Sequence, residues 1–172
     1  MATPRVLISA GEIERRIGEL GRQIAEDYSK EPIILIAILK GAFMFLSDLA
    51  RAIPKPVRID FIGISSYGKG KTSSGEVRLT KDLDMTIEGA DVLVVEDIID
   101  TGVSLSYLIH VLEQRRPRSI QVIALLDKPE RRLRPVQAVY VGFKIADQFV
   151  VGYGLDFDEE YRNLKDICVL ES

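Results

Sequence analysis

The segment VLVVEDIIDTGVSL, residues 92–105, places Glu96, Asp97 and Asp100 close together and follows them with Thr101, Gly102, Val103 and Ser104. An ionised carboxylate accepts hydrogen bonds and never donates. The adjacent pair Glu96 and Asp97 therefore suits a vicinal pair of hydroxyls, as on ribose, or a divalent cation. Thr101 to Ser104 reads as a tight turn opening a helix, whose free N–H groups and positive dipole end bind a phosphate. The Thr101 and Ser104 hydroxyls add donors. Asp100 stands too close to that phosphate to be there for attraction, which aims it at a third group. Sugar, phosphate and a further moiety together describe a nucleotide. Taken singly, each acid reads better as a solvated strand end or, for Asp100, a helix cap. Together they would repel one another without a ligand or cation.

The elements that must position these residues follow from periodicity. Ser9 and Glu12 form a capping box, and Ile13, Ile17, Leu20 and Ile24 recur at helical spacing to about Tyr28, so an amphipathic helix is expected to open the fold. IILIAIL (33–39) is apolar on both faces, as in a central parallel strand, and AFMFLSDLARAI reads as a helix stopped by Pro54. VRIDFIGISSY alternates like a strand, empties into GKGKTSSG, and returns as EVRLTKDLD, a long hairpin with a polar tip. ADVLVVE with a helix from about Ser104 to Arg115 makes a second βα unit, and SIQVIALL and AVYVGFKI are further strands. The tail from Phe149 reads as a loop, a short helix and a last strand. Ligands of an open α/β sheet bind outside the carboxyl ends of its strands, where Glu96 and Asp97 emerge.

Composition narrows the classes. The chain has 172 residues, of which 47% are hydrophobic, enough for one domain (1–172) burying roughly two thirds of its unfolded surface. A net charge of -3 gives no global positive field for nucleic acid or anionic lipid. The run IILIAIL is far short of a bilayer span, and the first residues lack the apolar core of a signal peptide, so a cytoplasmic protein away from membranes is expected. Cys168, the single cysteine, excludes an intrachain disulfide and a thiolate metal site, and reads as a buried, inert thiol. His110, the single histidine, falls off the apolar stripe of its helix and reads as solvent-facing. GKT at 70–72 is no P-loop, since position 65 is Ser65 and no helix follows. Gly152 and Gly154 lack the third glycine of a dinucleotide fingerprint, because position 157 is Phe157.

EDIIDTG followed by VSL resembles the phosphoribosyl-diphosphate signature of type I phosphoribosyltransferases, most closely their hypoxanthine-guanine branch. LKGAFMFLSDL is similar to that family's pyrophosphate loop, SSYGKGKTSSGEV to its mobile catalytic loop, LLDKPERR to its purine-reading lysine segment, and FVVGYGLDFDEEYRNL to its base-stacking and closing segment. The resemblance covers nearly the whole chain. Some members carry a basic residue after the glycine of the signature, where this chain has Val103. Backbone N–H groups are expected to meet the phosphate, so the difference matters little.

The resemblance implies an α/β fold with an open, mostly parallel twisted sheet flanked by helices, a small hood and a flexible hairpin loop. It implies a homodimer or homotetramer, and transfer of phosphoribose from phosphoribosyl diphosphate to a purine base, giving IMP or GMP and pyrophosphate with Mg²⁺ as cofactor. Glu96 and Asp97 would hold the ribose hydroxyls and metal, with Ile98 between them and Asp100 in the same binding segment. Asp100 would be the general acid or base at purine N7. Lys128, with three donors and no acceptor, would read the 6-oxo group and refuse adenine. Phe149 would stack on the base, with the backbone of Val150 and Asp156 at its other edge. Asp156 would hold a second Mg²⁺. Lys40, Gly41 and Arg162 would meet pyrophosphate, through a Leu39–Lys40 bond implied to be cis. Ser66 and Tyr67 would ride a lid that excludes water. Two other readings stay open: an RNA-binding regulator of a pyrimidine operon on the same fold, and a nucleotide-binding module without turnover.

Overall fold

The computed structural model describes residues 3–30, 32–66 and 77–171. In chain order its elements are β1 (Thr3–Ile8), α1 (Ala10–Asp27), β2 (Ile33–Leu39), α2 (Phe43–Ala52), β3 (Val57–Ser66), β4 (Val77–Lys81), β5 (Asp91–Ile99), α3 (Val103–Glu113), β6 (Ser119–Asp127), a 3-10 turn (Pro129–Arg131), β7 (Tyr140–Lys144), β8 (Val150–Val151) and β9 (Ile167–Glu171).

Because β2 and β5 are apolar at successive positions, each buries both faces. They sit side by side at the centre of a six-stranded sheet ordered β4-β3-β2-β5-β6-β7. All neighbours run parallel except β4, which returns antiparallel along β3. Alternation divides the side chains. Leu35, Ala37, Leu93 and Val95 face Ile13, Ile17 and Leu20 of α1 and Phe45 and Leu49 of α2, while Ile34, Ile36, Val92 and Val94 face Leu105, Leu108 and Leu112 of α3. Burying each such aliphatic side chain contributes about 1.5–3 kcal/mol. This is the open, mostly parallel α/β sheet expected from the sequence, with helices on both faces.

Helix α1 begins at the capping box. Ser9 Oγ accepts from the Glu12 N–H at 3.3 Å and the Ser9 N–H donates to the Glu12 carboxylate at 2.9 Å. The helix does not open the fold, however. Thr3–Ile8 precede it as β1, paired antiparallel with β9 in a second sheet ordered β1-β9-β8. The first strand is short, contains Pro4 and finds its partner at the far end of the chain, so local periodicity gives little sign of it. This sheet is the small hood. It is tied to the main layer where the Tyr153 hydroxyl donates to Asp48 of α2 and the Ala10 N–H donates to Asp166 at 2.7 Å.

The short helix expected in the tail is absent: residues 156–165 form turns and isolated bridges. Asp158, Glu159 and Tyr161 adopt positive φ of 52°, 64° and 73°, which no right-handed helix accommodates. The tip of the β3–β4 hairpin, with Tyr67 and the segment GKGKTSSG, lies outside the described residues. Its last described pair is Ser66 with Val77. Cys168 is buried, where loss of solvent raises its thiol pKa, and the His110 side chain is 72% exposed, both as expected. No helix among the described residues is long and apolar enough to cross a membrane.

Candidate active site

Strand β5 runs further than its apolar core suggests, so Glu96 and Asp97 lie within its last turns of pleat. Glu96 is in register with Ala124 of β6. Both are half-buried. The Asp97 N–H donates to Glu96 Oε1 at 3.2 Å and the Ile98 N–H to Asp97 Oδ1 at 2.7 Å. Burial lifts the Glu96 carboxyl well above the usual carboxylate range, and the Asp97 charge adds to the lift. Burial raises Asp97 as well, against hydrogen bonds from Glu96 and from the backbone. Two such acids cannot both stay ionised cheaply, so the pair holds a proton or a cation. Two carboxylates beside space for substrate oxygens fit Mg²⁺, which is commonly bound through one or two carboxylates with substrate and water completing its shell.

The loop after β2 lies directly on these acids. The Leu39–Lys40 peptide is cis, and a Cβ added to Gly41 would fall 1.7 Å from Asp97 Oδ2, so only glycine fits. A Cβ on Gly154, whose φ is +101°, would fall 2.2 Å from the Gly41 carbonyl oxygen. Three segments distant in sequence, 39–41, 96–97 and 152–156, thereby converge.

Beyond Asp97 the chain turns through Gly102, at φ +79°, into α3. Thr101 Oγ1 accepts a long hydrogen bond of 3.4 Å from the Val103 N–H. A cavity of about 140 Å³ is lined by Glu96, Ile98, Asp100, Thr101, Gly102 and Ser104 among others. The acid end of β5 and the helix-opening turn are thus walls of one small space.

On the other side of the Lys40 loop, Lys40 Nζ meets Glu159 Oε2 at 2.8 Å. Arg162 Nη2 lies 3.0 Å from Asp156 Oδ1 and 3.5 Å from Glu159, and its Nη1 donates to the Gly154 carbonyl at 2.7 Å. Arg162 Nε is buried without a hydrogen-bond partner. Lys40 beside Glu159 holds that carboxyl below its usual range. A cavity of about 500 Å³ opens here over Leu39, Phe43 and Phe61. Two cations already facing carboxylates in a cavity of this size suit a polyanion.

At the opposite end Lys128 is buried, with Nζ 3.7 Å from Asp147 Oδ1. Asp100 Oδ1 accepts from Arg131 Nε at 2.8 Å, and Arg132 Nη1 donates to the Asp100 carbonyl at 2.9 Å. Phe149 is 55% exposed, and Phe157, equally open, meets it edge-on with centroids 5.6 Å apart, so the two rings form one exposed aromatic pair. Val150 starts β8 with its side chain buried.

Sequence reasoning singled out Glu96, Asp97, Asp100, the 101–104 turn, Lys40, Gly41, Lys128, Phe149 and Arg162, and these fall into the three groups just described. Ser66 ends β3, and Tyr67 lies outside the described residues. Asp156 is committed to Arg162 and does not join Glu96 and Asp97: among the described residues no three acidic, histidine or cysteine side chains gather as a metal site. Arg131, Asp147, Phe157 and Glu159 were not foreseen. Only Phe157, a second aromatic in the stacking segment, left a sequence signal.

The chain is similar to known proteins over nearly its whole length. The phosphoribosyl transferase domain matches residues 8–158. The hypoxanthine-guanine phosphoribosyltransferase of Mycobacterium avium is 50% identical over 172 residues, covering 96% of this chain and 85% of that protein. That of Bacillus subtilis is 47% identical over 167 residues, covering 97% and 93%. A crystal structure of a hypoxanthine phosphoribosyltransferase from Staphylococcus aureus superposes with a TM-score of 0.93 at 46% identity, covering 97% of this chain and 91% of that one.

Proposed function

The chain belongs to the phosphoribosyltransferase family and to its hypoxanthine-guanine branch, and from that premise we propose how its residues divide the reaction. It is a purine-salvage enzyme of the pentosyl-transferring class. The 5-phosphoribosyl group of phosphoribosyl diphosphate passes to N9 of hypoxanthine or guanine. The bond from the anomeric carbon to pyrophosphate breaks, the bond to N9 forms, and IMP or GMP results. The observation that carries this reading is the single cavity in which Glu96 and Asp100 share walls with the 101–104 turn.

Thr101 to Ser104 take the 5-phosphate by backbone N–H and hydroxyl groups. Glu96 and Asp97 accept from the ribose hydroxyls, and their negative field favours the cation-like sugar of the transition state. Lys40, the Gly41 amide and Arg162 receive the departing pyrophosphate, for which Glu159 must release both cations. Glu96 and Asp97 would hold one Mg²⁺, whose charge would offset that of the diphosphate, and Asp156, once released by Arg162, would hold a second. Asp100 takes the proton the base sheds near N7 as N9 bonds to carbon. Lys128 donates to O6, where the amino group of adenine offers no acceptor. Phe149, held by the edge of Phe157, stacks on the ring, and the backbone of Val150 and Asp156 meets its other edge. Ser66 and Tyr67 belong to the segment that closes over the sugar. The 172 residues act as one catalytic unit, in a homodimer or homotetramer.

The pyrimidine-operon RNA reading is not favoured. The net charge is -3, and relatives near half identity are purine phosphoribosyltransferases. An ultraviolet assay of each purine and pyrimidine base with phosphoribosyl diphosphate and Mg²⁺ tests the proposal. Turnover of hypoxanthine or guanine without uracil or adenine is expected; turnover of uracil alone, or of no base, would overturn it.

A further inference from the structure

Four charged side chains at the base end form an unbroken alternating series. Asp100 Oδ1 meets Arg131 Nε at 2.8 Å, Arg131 Nη1 meets Asp147 Oδ2 at 3.4 Å, and Asp147 Oδ1 meets Lys128 Nζ at 3.7 Å. Each oxygen of Asp147 serves a different cation. Arg131 uses one face of its fork for each acid, a task its planar geometry suits and a lysine performs less well. Lys128 is nearly buried, at 9% side-chain exposure, whereas Arg131, Asp100 and Asp147 are close to half exposed. The two pairs made by Arg131 are exposed and contribute only about 0–1 kcal/mol to the fold, while Asp147 also balances the buried Lys128 ammonium.

Their arrangement has a chemical consequence. In the proposed reaction Asp100 and Lys128 address two neighbouring positions on one edge of the purine, N7 and O6. A free carboxylate and a free ammonium set that close would pair with each other and fill the space the base must enter. Interposing a cation next to the acid and an acid next to the cation gives each a separate partner. Asp100 also keeps Oδ2 free of Arg131, and the 3.7 Å ion pair of Lys128 with Asp147 is too long to commit any of the three Lys128 donors to a hydrogen bond.

We propose that Arg131 and Asp147 are positioning residues that hold Asp100 and Lys128 apart, at the spacing of the N7 and O6 atoms of a 6-oxopurine. The proposal rests on the roles given above to Asp100 and Lys128. Without Arg131 the carboxylate of Asp100 swings toward Lys128, and both groups that recognise the base edge are lost together. Arg132 acts differently: it grips the backbone of Asp100 and pairs with Asp127 on the buried side, so it fixes the segment rather than the carboxylate.

The test measures kcat, KM for hypoxanthine and KM for phosphoribosyl diphosphate in Arg131→Met, Arg131→Lys and Asp147→Asn, each in the wild-type and the Asp100→Asn backgrounds. Arg131→Met is expected to lower kcat/KM for hypoxanthine about tenfold, within the range found for coupled neighbours, while KM for phosphoribosyl diphosphate changes less than about twofold. Arg131→Lys should recover part of that loss, and Asp147→Asn should show a smaller one of about threefold, its contacts being the longer two. In the Asp100→Asn background the same Arg131→Met change should have almost no further effect, because the carboxylate to be restrained is no longer charged. Equal losses in both backgrounds, or losses shared by both substrates, would reduce Arg131 to a structural role and overturn the proposal. So would wild-type kinetics in Arg131→Met and Asp147→Asn beside an impaired Asp100→Asn. Wild-type kinetics in Asp100→Asn itself would instead remove the underlying reading. Should Arg131→Met fold poorly, Arg131→Lys and Asp147→Asn carry the same measurement.

Discussion

The two ends of the candidate site are built by different means. At the sugar and phosphate end the groups are half-buried or belong to the backbone: Glu96 and Asp97 in the central strand β5, the turn at Gly102, and a loop whose Gly41 admits no side chain. At the base end a buried lysine, Lys128, is surrounded by half-exposed side chains on turns and short elements, held by ion pairs and one edge-on ring contact. A rigid cradle made from the fold's core handles what every substrate shares. A surface adjustable by single side chains handles what distinguishes one base from another. The contrast teaches that substitutions at the first end should fail through shape, and those at the second through charge and contact.

Asp100 lies where the ends meet, and its loss should be the largest effect. Asp100→Asn is expected to lower kcat by about 10²–10⁴-fold, the range of general acid/base catalysis, with little change in thermal midpoint. Steady-state rates with hypoxanthine decide it, and an unchanged kcat would break the division of labour at its centre. Gly41→Ala sharpens the first half of the comparison. Its methyl would displace the Asp97 carboxylate, so kcat should fall roughly a hundredfold, as for a misplacement of about an ångström, although only one carbon is added. Near-wild-type turnover in this variant would mean that the loop has room the structure does not give it. Phe149→Ala sharpens the second half. Losing one aromatic stack, worth about 1–3 kcal/mol, should raise KM for the base and leave KM for phosphoribosyl diphosphate nearly alone.

The smallest effect belongs to neither end. Asp91 at the start of β5 accepts from Arg118 and Ser119, and the Arg118 hydrogen bond holds its carboxyl below the usual range. A depressed folded value means stability that is fully present above the unfolded value, near pH 4, and lost as pH falls through the folded one. Asp91→Asn should therefore lower the melting temperature slightly at pH 7 and less at pH 3. A larger difference in acid would reverse the assigned sign.

Legibility followed the same division. The apolar runs of β2 and β5, the capping box at Ser9, and the acids and turn from Glu96 to Ser104 could be read directly, because burial and helix capping impose patterns on neighbouring residues. β1 escaped because its partner, β9, lies at the opposite terminus and pairing across that distance leaves no local period. The turns at 158–161 escaped because Asp, Glu and Tyr there take left-handed conformations that their residue types do not announce. Arg131 stood in the segment already singled out for Lys128 and Asp147 just ahead of the one singled out for Phe149, yet an ion pair between residues 16 apart is decided by how two loops meet, not by spacing. Glu159 facing Lys40 across 119 positions is the extreme case.

The central claim is that the end of β5 and the first turn of α3 grip two parts of one phosphoribosyl group. A crystal structure of the complex with GMP tests it most directly. It should place the 5-phosphate against the backbone of residues 101–104 and the ribose hydroxyls within hydrogen-bonding reach of Glu96 and Asp97. A nucleotide bound elsewhere, with its phosphate away from that turn, would contradict the account.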